Sequence, residues 1–328
     1  MLLAIDGGGT KTHGLLFDAY GVVHAVARGP RCLPQVDGVA DALGVLDSLV
    51  ARLLADGGAT AADVHHAGVY LTGMDLPQEE ERFAVQLRTR EWARSFTLAN
   101  DTFALLRAGT DAPDAIAIVC GTGLNCVGTS ASGSVTRFPA LGRLSGDWGG
   151  GTDLAEEILW SAARAEDGRG PDTLLRSVVT EIFGTHTVYE AYCGLHLGEI
   201  DPAIVAELPP GLFAAAEAGD AVALAVVHRQ AEEIVALGRV AMQRLGLTAV
   251  PIPVVLGGSV LAAGHPTLVE PVERGLRSVN PAIEVRMVGR PPVVGAAILV
   301  LEQVLGGEAD VEPAAGALIL ALADQLIG

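Results

Sequence analysis

The chain has 328 residues, half of them hydrophobic, and a formal net charge of −18. This length is sufficient for two hydrophobic cores, so we expect two domains. The negative charge, without any basic patch, argues against binding to nucleic acid or to an anionic membrane surface. The longest apolar stretches are too short to cross a bilayer and no cationic leader precedes the first strand, so we expect a cytoplasmic protein.

The first third of the sequence predicts an antiparallel meander followed by alternating helices and strands. Residues 2–5, 14–18 and 22–27 are short apolar segments that glycine-containing turns separate, as in consecutive antiparallel strands. The further predicted elements are a helix at 39–54, a strand at 67–71, a helix at 79–94, a strand at 96–99 and a helix through 106.

The remaining sequence repeats this theme. A β-branched strand at 115–120 precedes a hairpin whose strands are predicted at 126–129 and 135–138. The later elements are helices at 153–165 and 220–245, strands at 252–256 and 284–288, and helices at 294–305 and 314–327. Strands that alternate with helices in this way are typical of an α/β fold.

The turn after the first strand carries the strongest functional signal. It contains Asp6, Gly7, Gly8, Gly9, Thr10 and Lys11. Glycines lack the Cβ atoms that would block an anion, and the neighbouring N–H, hydroxyl and ammonium groups can donate hydrogen bonds to it. The pattern predicts a phosphate-binding turn with a metal ion at Asp6. A plain hairpin turn is the alternative, since neither G-x-x-x-x-G-K-[ST] nor G-x-G-x-x-G matches.

Two later glycine turns and two acidic residues are weaker candidates. Residues 121–123 and 257–259 follow predicted strands and are either ligand-binding turns or simple strand ends. Asp101 is either a general base for an attacking hydroxyl or a cap of the next helix. Asp147 lies among glycines that would expose it to a ligand, although a loop or cap position suits it equally. The residues alone leave these alternatives open.

The order of these motifs resembles that of the actin/Hsp70/sugar-kinase superfamily. Residues 6–12 look like its first phosphate motif, 121–123 like its second, and 256–264 like its adenosine motif. In detail, residues 99–101 and 146–151 are similar to the BadF/BadG/BcrA/BcrD ATPase family and its N-acetylglucosamine kinase branch. The resemblance extends over nearly the whole chain.

This resemblance implies an α/β fold of two ribonuclease-H-like, actin-like ATPase lobes, with ATP and Mg²⁺ in the cleft between them. The N-terminal lobe would span residues 1–110, and the C-terminal lobe, with helical insertions, residues 111–312. The last helix of such proteins often packs on the first lobe, so residues 313–328 are candidates to join it. Homodimers are common among such relatives.

The resemblance also implies roles for individual residues. Asp6 would bind Mg²⁺ through water, and Asp101 would be the catalytic base at the sugar hydroxyl. Asn125 and Asp147, together with Asp101, would contact the substrate. The ATP-binding residues would be Gly8, Gly9, Thr10, Lys11, Gly121, Thr122, Gly123, Gly257, Gly258 and Ser259. The implied function is transfer of the γ-phosphoryl group of ATP to a hydroxyl of an amino sugar, of the N-acetylglucosamine or glucosamine type.

Three departures from the family pattern affect the predicted substrate. Residues 29–34 contain no asparagine where family kinases carry a sugar-binding one. Residues 140–143 replace a Gly-Trp-Gly segment that lies against the sugar in N-acetylglucosamine kinases. Trp148 occupies a position where many relatives have Glu. A reshaped sugar pocket is the expected consequence.

Two other functions remain alternatives. Activators of 2-hydroxyacyl-CoA dehydratase or benzoyl-CoA reductase systems belong to the same family and need cysteine thiolates for an iron–sulfur cluster. Of the four cysteines of this chain, Cys120 ends a predicted strand, Cys126 starts another, and the other two lie in unrelated contexts, without any C-x-x-C pair. A non-catalytic nucleotide-binding module is the second alternative. The combined presence of Asp6, Asp101 and Asp147 favours the kinase.

Overall fold

The computed structural model describes residues 1–306 and 308–323. The described chain divides into two compact units, one containing residues 1–117 and those from 286 onward, the other residues 118–285. Each unit is built around a five-stranded sheet with helices packed on it. The α/β fold with two lobes is thereby confirmed.

The strands are β1 (Leu2–Gly7), β2 (Lys11–Phe17), β3 (Val23–Pro30), β4 (His66–Leu71), β5 (Phe96–Asn100), β6 (Ala115–Cys120), β7 (Leu124–Thr129), β8 (Val135–Arg137), β9 (Pro253–Gly257) and β10 (Glu284–Met287). The helices are α1 (Pro34–Asp37), α2 (Val39–Asp56), α3 (Pro77–Leu87), α4 (Asp101–Gly109), α5 (Gly151–Glu166), α6 (Leu175–Phe183), α7 (Val188–Leu197), α8 (Pro209–Glu217), α9 (Ala221–Leu245), α10 (Ser259–Ala262), α11 (Pro266–Val279), α12 (Pro292–Leu305) and α13 (Glu308–Leu322).

The first sheet has the strand order β3-β2-β1-β4-β5. β1, β2 and β3 pair antiparallel, as the meander prediction required. β4 lies parallel to β1, and β5 lies parallel to β4. The carboxyl ends of β1, β4 and β5 therefore lie at the same edge of this sheet, which is where the candidate site is found.

β1 is buried along its whole length because both faces of the first sheet are covered. Leu3 and Ile5 pack in a core that α2 and α3 complete. Leu2 and Ala4 point to the opposite face, where they pack with apolar residues of α12 and α13. A strand covered on both faces is expected to be apolar without alternation, which explains the sequence at residues 2–5.

α12 packs closely against α4. A Cβ atom on Gly295 would lie 1.9 Å from the carbonyl oxygen of Ala104, so a larger residue would push the helices apart. Arg107 of α4 donates from Nε to Oε1 of Glu302 on α12 at 2.6 Å. These contacts hold α4, and with it the aspartate at its first position, against the sheet.

The second sheet has the strand order β10-β9-β6-β7-β8. β7 and β8 form the predicted antiparallel hairpin. α9, which packs on both of these strands, begins after Asp220, whose carboxylate accepts the N–H of Ala223 at 2.8 Å. The helix ends at Gly246, which adopts a left-handed conformation with φ of 70° that glycine favours.

Several predicted bounds differ from the structure. α3 ends at Leu87 rather than at residue 94, because the chain turns and buries Trp92, whose Nε1 donates to Asp47 Oδ1 at 2.9 Å. α13 begins at Glu308 rather than 314, and residues 324–328 lie outside the described range. The lobe boundaries expected at residues 110 and 312 lie at 117 and 285, because α12 packs on β1 and β4.

Candidate active site

Two carboxylates of the first unit lie at the shared carboxyl edge of its parallel strands. Asp6 is the penultimate residue of β1, and Asp101 follows β5 directly as the first residue of α4. Between them, the N–H of Thr72, which follows β4, donates to the carbonyl oxygen of Gly7 at 2.8 Å. The sheet therefore brings together two acidic residues that are 95 positions apart in sequence.

The two carboxylates interact electrostatically. Burial raises the pKa of Asp6 to about 7, an effect that the charge of Lys11 opposes. Burial, and secondarily the negative charge of Asp6, raise the pKa of Asp101 to about 8, although backbone N–H groups of Asp101 and Thr102 stabilise its ionised form. A carboxyl group with a pKa near neutrality is suited to exchange a proton with a substrate.

Asn100 fixes the start of the helix that carries Asp101. Its Oδ1 accepts the N–H of Thr102 at 3.0 Å, and its Nδ2 donates to Asp75 Oδ1 at 2.8 Å. The turn that contains Asp75 is held in turn by Glu79, whose Oε2 accepts the N–H groups of Asp75 at 3.1 Å and Leu76 at 2.8 Å. The N-cap of α4 is thus Asn100. The capping role that the sequence left open for Asp101 belongs to Asn100 instead.

The glycine turn between β1 and β2 is both a hairpin and a group of donors. The N–H of Gly8 donates to the carbonyl oxygen of Lys11 at 2.9 Å, which closes the hairpin and removes this N–H from the predicted phosphate donors. Within the described residues, the N–H groups of Gly9 and Thr10 have no hydrogen-bond acceptor. Lys11 and Thr10 are exposed, so their side chains are accessible to an anion.

In the second unit, three glycine segments meet where β6 ends. The N–H of Gly151 donates to the carbonyl oxygen of Gly121 at 2.7 Å, and the N–H of Thr152 donates to that of Thr122 at 3.1 Å. A Cβ on Gly258 would lie 2.4 Å from the carbonyl carbon of Cys120. The two predicted nucleotide turns at residues 121–123 and 257–259 are therefore direct neighbours.

The glycines of this region differ in what they do. Gly258 has a φ of 87° and lies against the backbone at the end of β6. Its conformation and this packing are sufficient to require a glycine here, whether or not a ligand binds. A Cβ on Gly123, in contrast, would meet no atom within 4 Å. Thr122 and Gly123 are also exposed, which leaves room for a ligand at this turn.

The predicted substrate residues of the second unit are already positioned by local hydrogen bonds. Asp147 is buried, accepts a hydrogen bond from the hydroxyl of Ser145, and donates its N–H to the carbonyl oxygen of Gly142 at 3.0 Å. Oδ1 of Asn125, on β7, accepts the N–H of Cys126 at 2.7 Å. Ser259 is the first residue of α10 and lies beside Gly121.

The donor set suits a hydrated Mg²⁺ ion better than a fully protein-bound metal. Residues 1–306 and 308–323 contain no group of three or more His, Cys, Asp and Glu side chains that could hold a metal ion. Asp6 supplies a carboxylate, the oxygen ligand that Mg²⁺ prefers, and this ion commonly keeps water and phosphate oxygens as its other ligands. Asp6 therefore fits the predicted role.

Comparison with known proteins decides the family. The profile of the BadF/BadG/BcrA/BcrD ATPase family matches residues 3–300. This chain is a BadF/BadG/BcrA/BcrD ATPase family member. The match covers most of each unit and includes every residue of the candidate site.

Two named relatives of this ATPase family member are kinases. An N-acetylmuramic acid/N-acetylglucosamine kinase of Clostridium acetobutylicum is 23% identical over 71% of this chain and 76% of its own length. An N-acetyl-D-glucosamine kinase of Dictyostelium discoideum is 25% identical over 92% of this chain and 98% of its own length. Among solved structures, a chain from Chromobacterium violaceum, provisionally named N-acetylglucosamine kinase, aligns with a TM-score of 0.71 at 24% identity. It covers 92% of this chain and 98% of its own.

Three residues that hold the site in this family member were not singled out from the sequence. Asp75 anchors Asn100, and Oδ2 of Asp153 accepts the N–H groups of Gly149 at 3.1 Å and Gly150 at 3.2 Å. Gln230, wholly buried on α9, donates to the carbonyl oxygen of Gly149 at 2.7 Å. Gln230 could have been noticed in the sequence, because it is a polar residue on the apolar face of a long predicted helix.

Among the described residues of this family member, no single helix is both long and apolar enough to span a membrane. One pair of consecutive helical segments, bent by 111° between Glu217 and Ala221, passes the same test of length and composition when taken together.

Proposed function

We propose that this protein is an ATP-dependent kinase that phosphorylates a hydroxyl group of an amino sugar, of the N-acetylglucosamine or glucosamine type. The observation that carries the proposal is the pair of interacting carboxylates, Asp6 and Asp101, beside a glycine turn with free N–H donors. Family membership supports ATP as the nucleotide. The names of the two relatives support an amino sugar as the acceptor.

Asp101 acts in this proposal as the general base. Phosphoryl transfer has a loose transition state, so the protein mainly positions the attacking hydroxyl in line with the γ-phosphoryl group. Asp101 orients that hydroxyl and accepts its proton, a contribution of about 10²- to 10⁴-fold in rate. Positioning supplies a further part of the barrier reduction, on the order of 7–11 kcal/mol.

The remaining predicted residues bind and orient. N–H groups of Gly9 and Thr10, with the side chains of Thr10 and Lys11, bind phosphate oxygens, and Gly8 shapes the hairpin. Thr122 and Gly123 bind phosphate at the second glycine turn. Asp6 would hold Mg²⁺ through water, and the ion would supply positive charge that offsets the negative charge of the phosphate oxygens.

Substrate and nucleoside binding use the second unit. Asn125 and Asp147 hold the sugar by hydrogen bonds, while Ser259 and the glycines at 257 and 258 contact the nucleoside. The small-molecule acceptor is the partner in this proposal, and nucleic acid has no role in it.

A screen of ADP release tests the function. Purified protein with Mg²⁺ and ATP is assayed against N-acetylglucosamine, glucosamine, N-acetylmuramic acid, neutral hexoses and a control without acceptor. We expect ADP release that depends on an amino sugar. Release at the same rate without any acceptor would instead identify an ATPase, and ATP binding without turnover would identify a non-catalytic module.

The cysteines argue against a dehydratase activator. Cys120 and Cys126 are fully buried, and burial raises the pKa of both thiols, that of Cys120 to about 12. The thiol of Cys120 also donates to the carbonyl oxygen of Gly149 at 3.2 Å. Thiolates in accessible loops are what an iron–sulfur cluster needs, and these two cysteines serve the interior of the second unit instead.

A further inference from the structure

A cavity in the second unit is lined by none of the residues to which we assign ATP and sugar binding, although it includes Trp148, which follows Asp147. It has a volume of about 540 Å³ and is formed by α5, the segment at residues 169–172 and the first half of α9. Its lining combines aromatic, cationic and hydroxyl side chains, contributed by Trp148, Trp160, Ser161, Arg164, Arg169 and Arg229.

Two arginine–tryptophan stacks form the walls of this cavity. The guanidinium carbon of Arg229 lies 3.8 Å from the centre of the Trp148 ring, and that of Arg164 lies 4.6 Å from the Trp160 ring. The guanidinium of Arg164 also donates to the carbonyl oxygen of Arg169 at 2.9 Å, and the carbonyl oxygen of Arg164 accepts the N–H of Gly170 at 2.8 Å. The walls are thus fixed by contacts within the protein, which preorganises the cavity for a ligand.

One polar side chain in the lining of this cavity is available to a ligand. The hydroxyl of Ser161 forms no hydrogen bond with any residue in the described part of the chain, and its oxygen is not fully buried. A hydroxyl can both donate and accept, so it can contact the hydroxyl groups or the anionic oxygens of a bound molecule.

The charges at the cavity favour an anion that also carries hydroxyl groups. Two pairs neutralise themselves, namely Arg169 with Asp167 at 2.6 Å and Arg176 with Asp172 at 3.3 Å. Arg164 and Arg229 have no carboxylate within ion-pair distance in residues 1–306 and 308–323, which leaves an excess of positive charge. Glu157, the remaining carboxylate in the lining, can accept hydrogen bonds from hydroxyl groups.

We propose that this cavity binds a small hydroxylated organic anion, with a sugar phosphate or a sugar acid as the representative compounds. The anionic group lies against the guanidinium of Arg229, the apolar face of the molecule lies on the Trp160 ring, and its hydroxyl groups contact Ser161 and Glu157. Trp148 of this cavity follows Asp147, to which we assign sugar binding, whereas Arg229 has no role in the proposed kinase reaction, so replacement of Arg229 distinguishes binding in this cavity from binding at the proposed kinase site.

Tryptophan fluorescence tests this site directly. The chain has three tryptophans, and Trp92 is the one outside the cavity, so in a Trp92→Phe variant the fluorescence reports on Trp148 and Trp160 alone. The variant is titrated with glucosamine 6-phosphate, gluconate, neutral sorbitol and inorganic phosphate. We expect a saturable change with at least one of the two sugar anions, at concentrations at which sorbitol and inorganic phosphate have no effect.

Arg229→Gln, introduced in the same background, should raise the dissociation constant for that anion about tenfold or more, because hydrogen bonds to a charged group are strong. Arg239 is an exposed arginine of the same helix and lies outside the cavity, so Arg239→Gln should leave the dissociation constant unchanged. No saturable change with either sugar anion, equal binding of sorbitol, or unchanged affinity after Arg229→Gln would overturn the proposal. Protection of Arg229 from phenylglyoxal by the same anion provides a second measurement on the unmutated chain.

Discussion

Asp101 lies close enough to Asp6 that burial, and secondarily the negative charge of Asp6, raise the pKa of Asp101, although Asp6 belongs to β1 and Asp101 follows β5, at opposite ends of the parallel trio β1-β4-β5. This relationship brings the carboxylate to which we assign Mg²⁺ binding near the proposed base. A Mg²⁺ ion at Asp6 would offset the negative charge there and so lower the pKa of Asp101. A larger fraction of Asp101 would then be in the ionised form, which accepts a proton.

Replacement of the base gives the first prediction. Asp101→Asn should leave ATP binding nearly unchanged but lower amino-sugar phosphorylation by on the order of 10²-fold or more, because the amide cannot accept the hydroxyl proton. Asp111→Asn, at an exposed position after α4, is the matched control and should retain full activity. Calorimetry with ATP and a coupled ADP assay measure the two effects. Undiminished turnover in Asp101→Asn would remove this residue from the mechanism.

The raised pKa of Asp101 also predicts how stability depends on pH. Its pKa of about 8 in the folded chain exceeds the value of about 3.9 expected in the unfolded chain. The folded chain therefore binds this proton more tightly, and the stability contributed by Asp101 is present at acid pH and lost as the pH rises through about 8.

Asp101→Asn lacks this titration. Without ligands, the free energy of unfolding of the variant relative to wild type should therefore increase between about pH 5 and pH 8, by less than the roughly 1.4 kcal/mol per pH unit that full release of one proton gives. Urea unfolding at several pH values measures the difference. A difference independent of pH would contradict the raised pKa.

The network around Asn100 predicts a positioning effect. Asn100→Ala removes the N-cap of α4 and its bond to Asp75, so we expect a loss of about 1–2 kcal/mol in stability and a lower kcat. Thr187→Ala removes the N-cap of α7 in the second unit and should cost similar stability without a change in kcat. Equal kcat values for the two variants would show that Asn100 has only a structural role.

Gly123 offers a test of the second phosphate turn. Gly123→Ala adds a Cβ atom that meets no protein atom within 4 Å, so stability should be nearly unchanged. If phosphate lies against this turn, the added methyl group should nevertheless weaken ATP binding about tenfold or more. Gly44→Ala, on α2 with the same open space around it, is the control. Unaltered ATP affinity in Gly123→Ala would place the phosphates elsewhere.

Local patterns in the sequence predicted most elements of the fold. The apolar run at residues 2–5 and the strand at 115–120 are recognisable because strands buried on both faces are continuously apolar. The end of α3 was not predictable, since the charged helical pattern continues to residue 94. Burial of Trp92 against Asp47, 45 positions earlier, terminates the regular structure instead. Long-range packing of this kind leaves no local signal.

The candidate site could be predicted in part. Glycine turns and the order of the motifs singled out Asp6, Asp101 and the residues around Gly121 as candidates, because the chemistry of phosphate and proton transfer restricts which residue types can occur there. The interaction between Asp6 and Asp101 required the parallel pairing of β4 with β1 and of β5 with β4. Gln230 and Asp153 hold the glycine segment at 149–151 through tertiary hydrogen bonds, which no local pattern reveals.

The central claim is phosphoryl transfer to an amino sugar, and the fate of the γ-phosphoryl group tests it most directly. Wild-type protein is incubated with Mg²⁺, N-acetylglucosamine or glucosamine, and ATP labelled with ³²P at the γ position, and the products are separated. We predict label in a sugar phosphate, formed by wild type and by Asp111→Asn but not by Asp101→Asn. Label found only in inorganic phosphate, or retained in ATP with every amino sugar, would contradict the account.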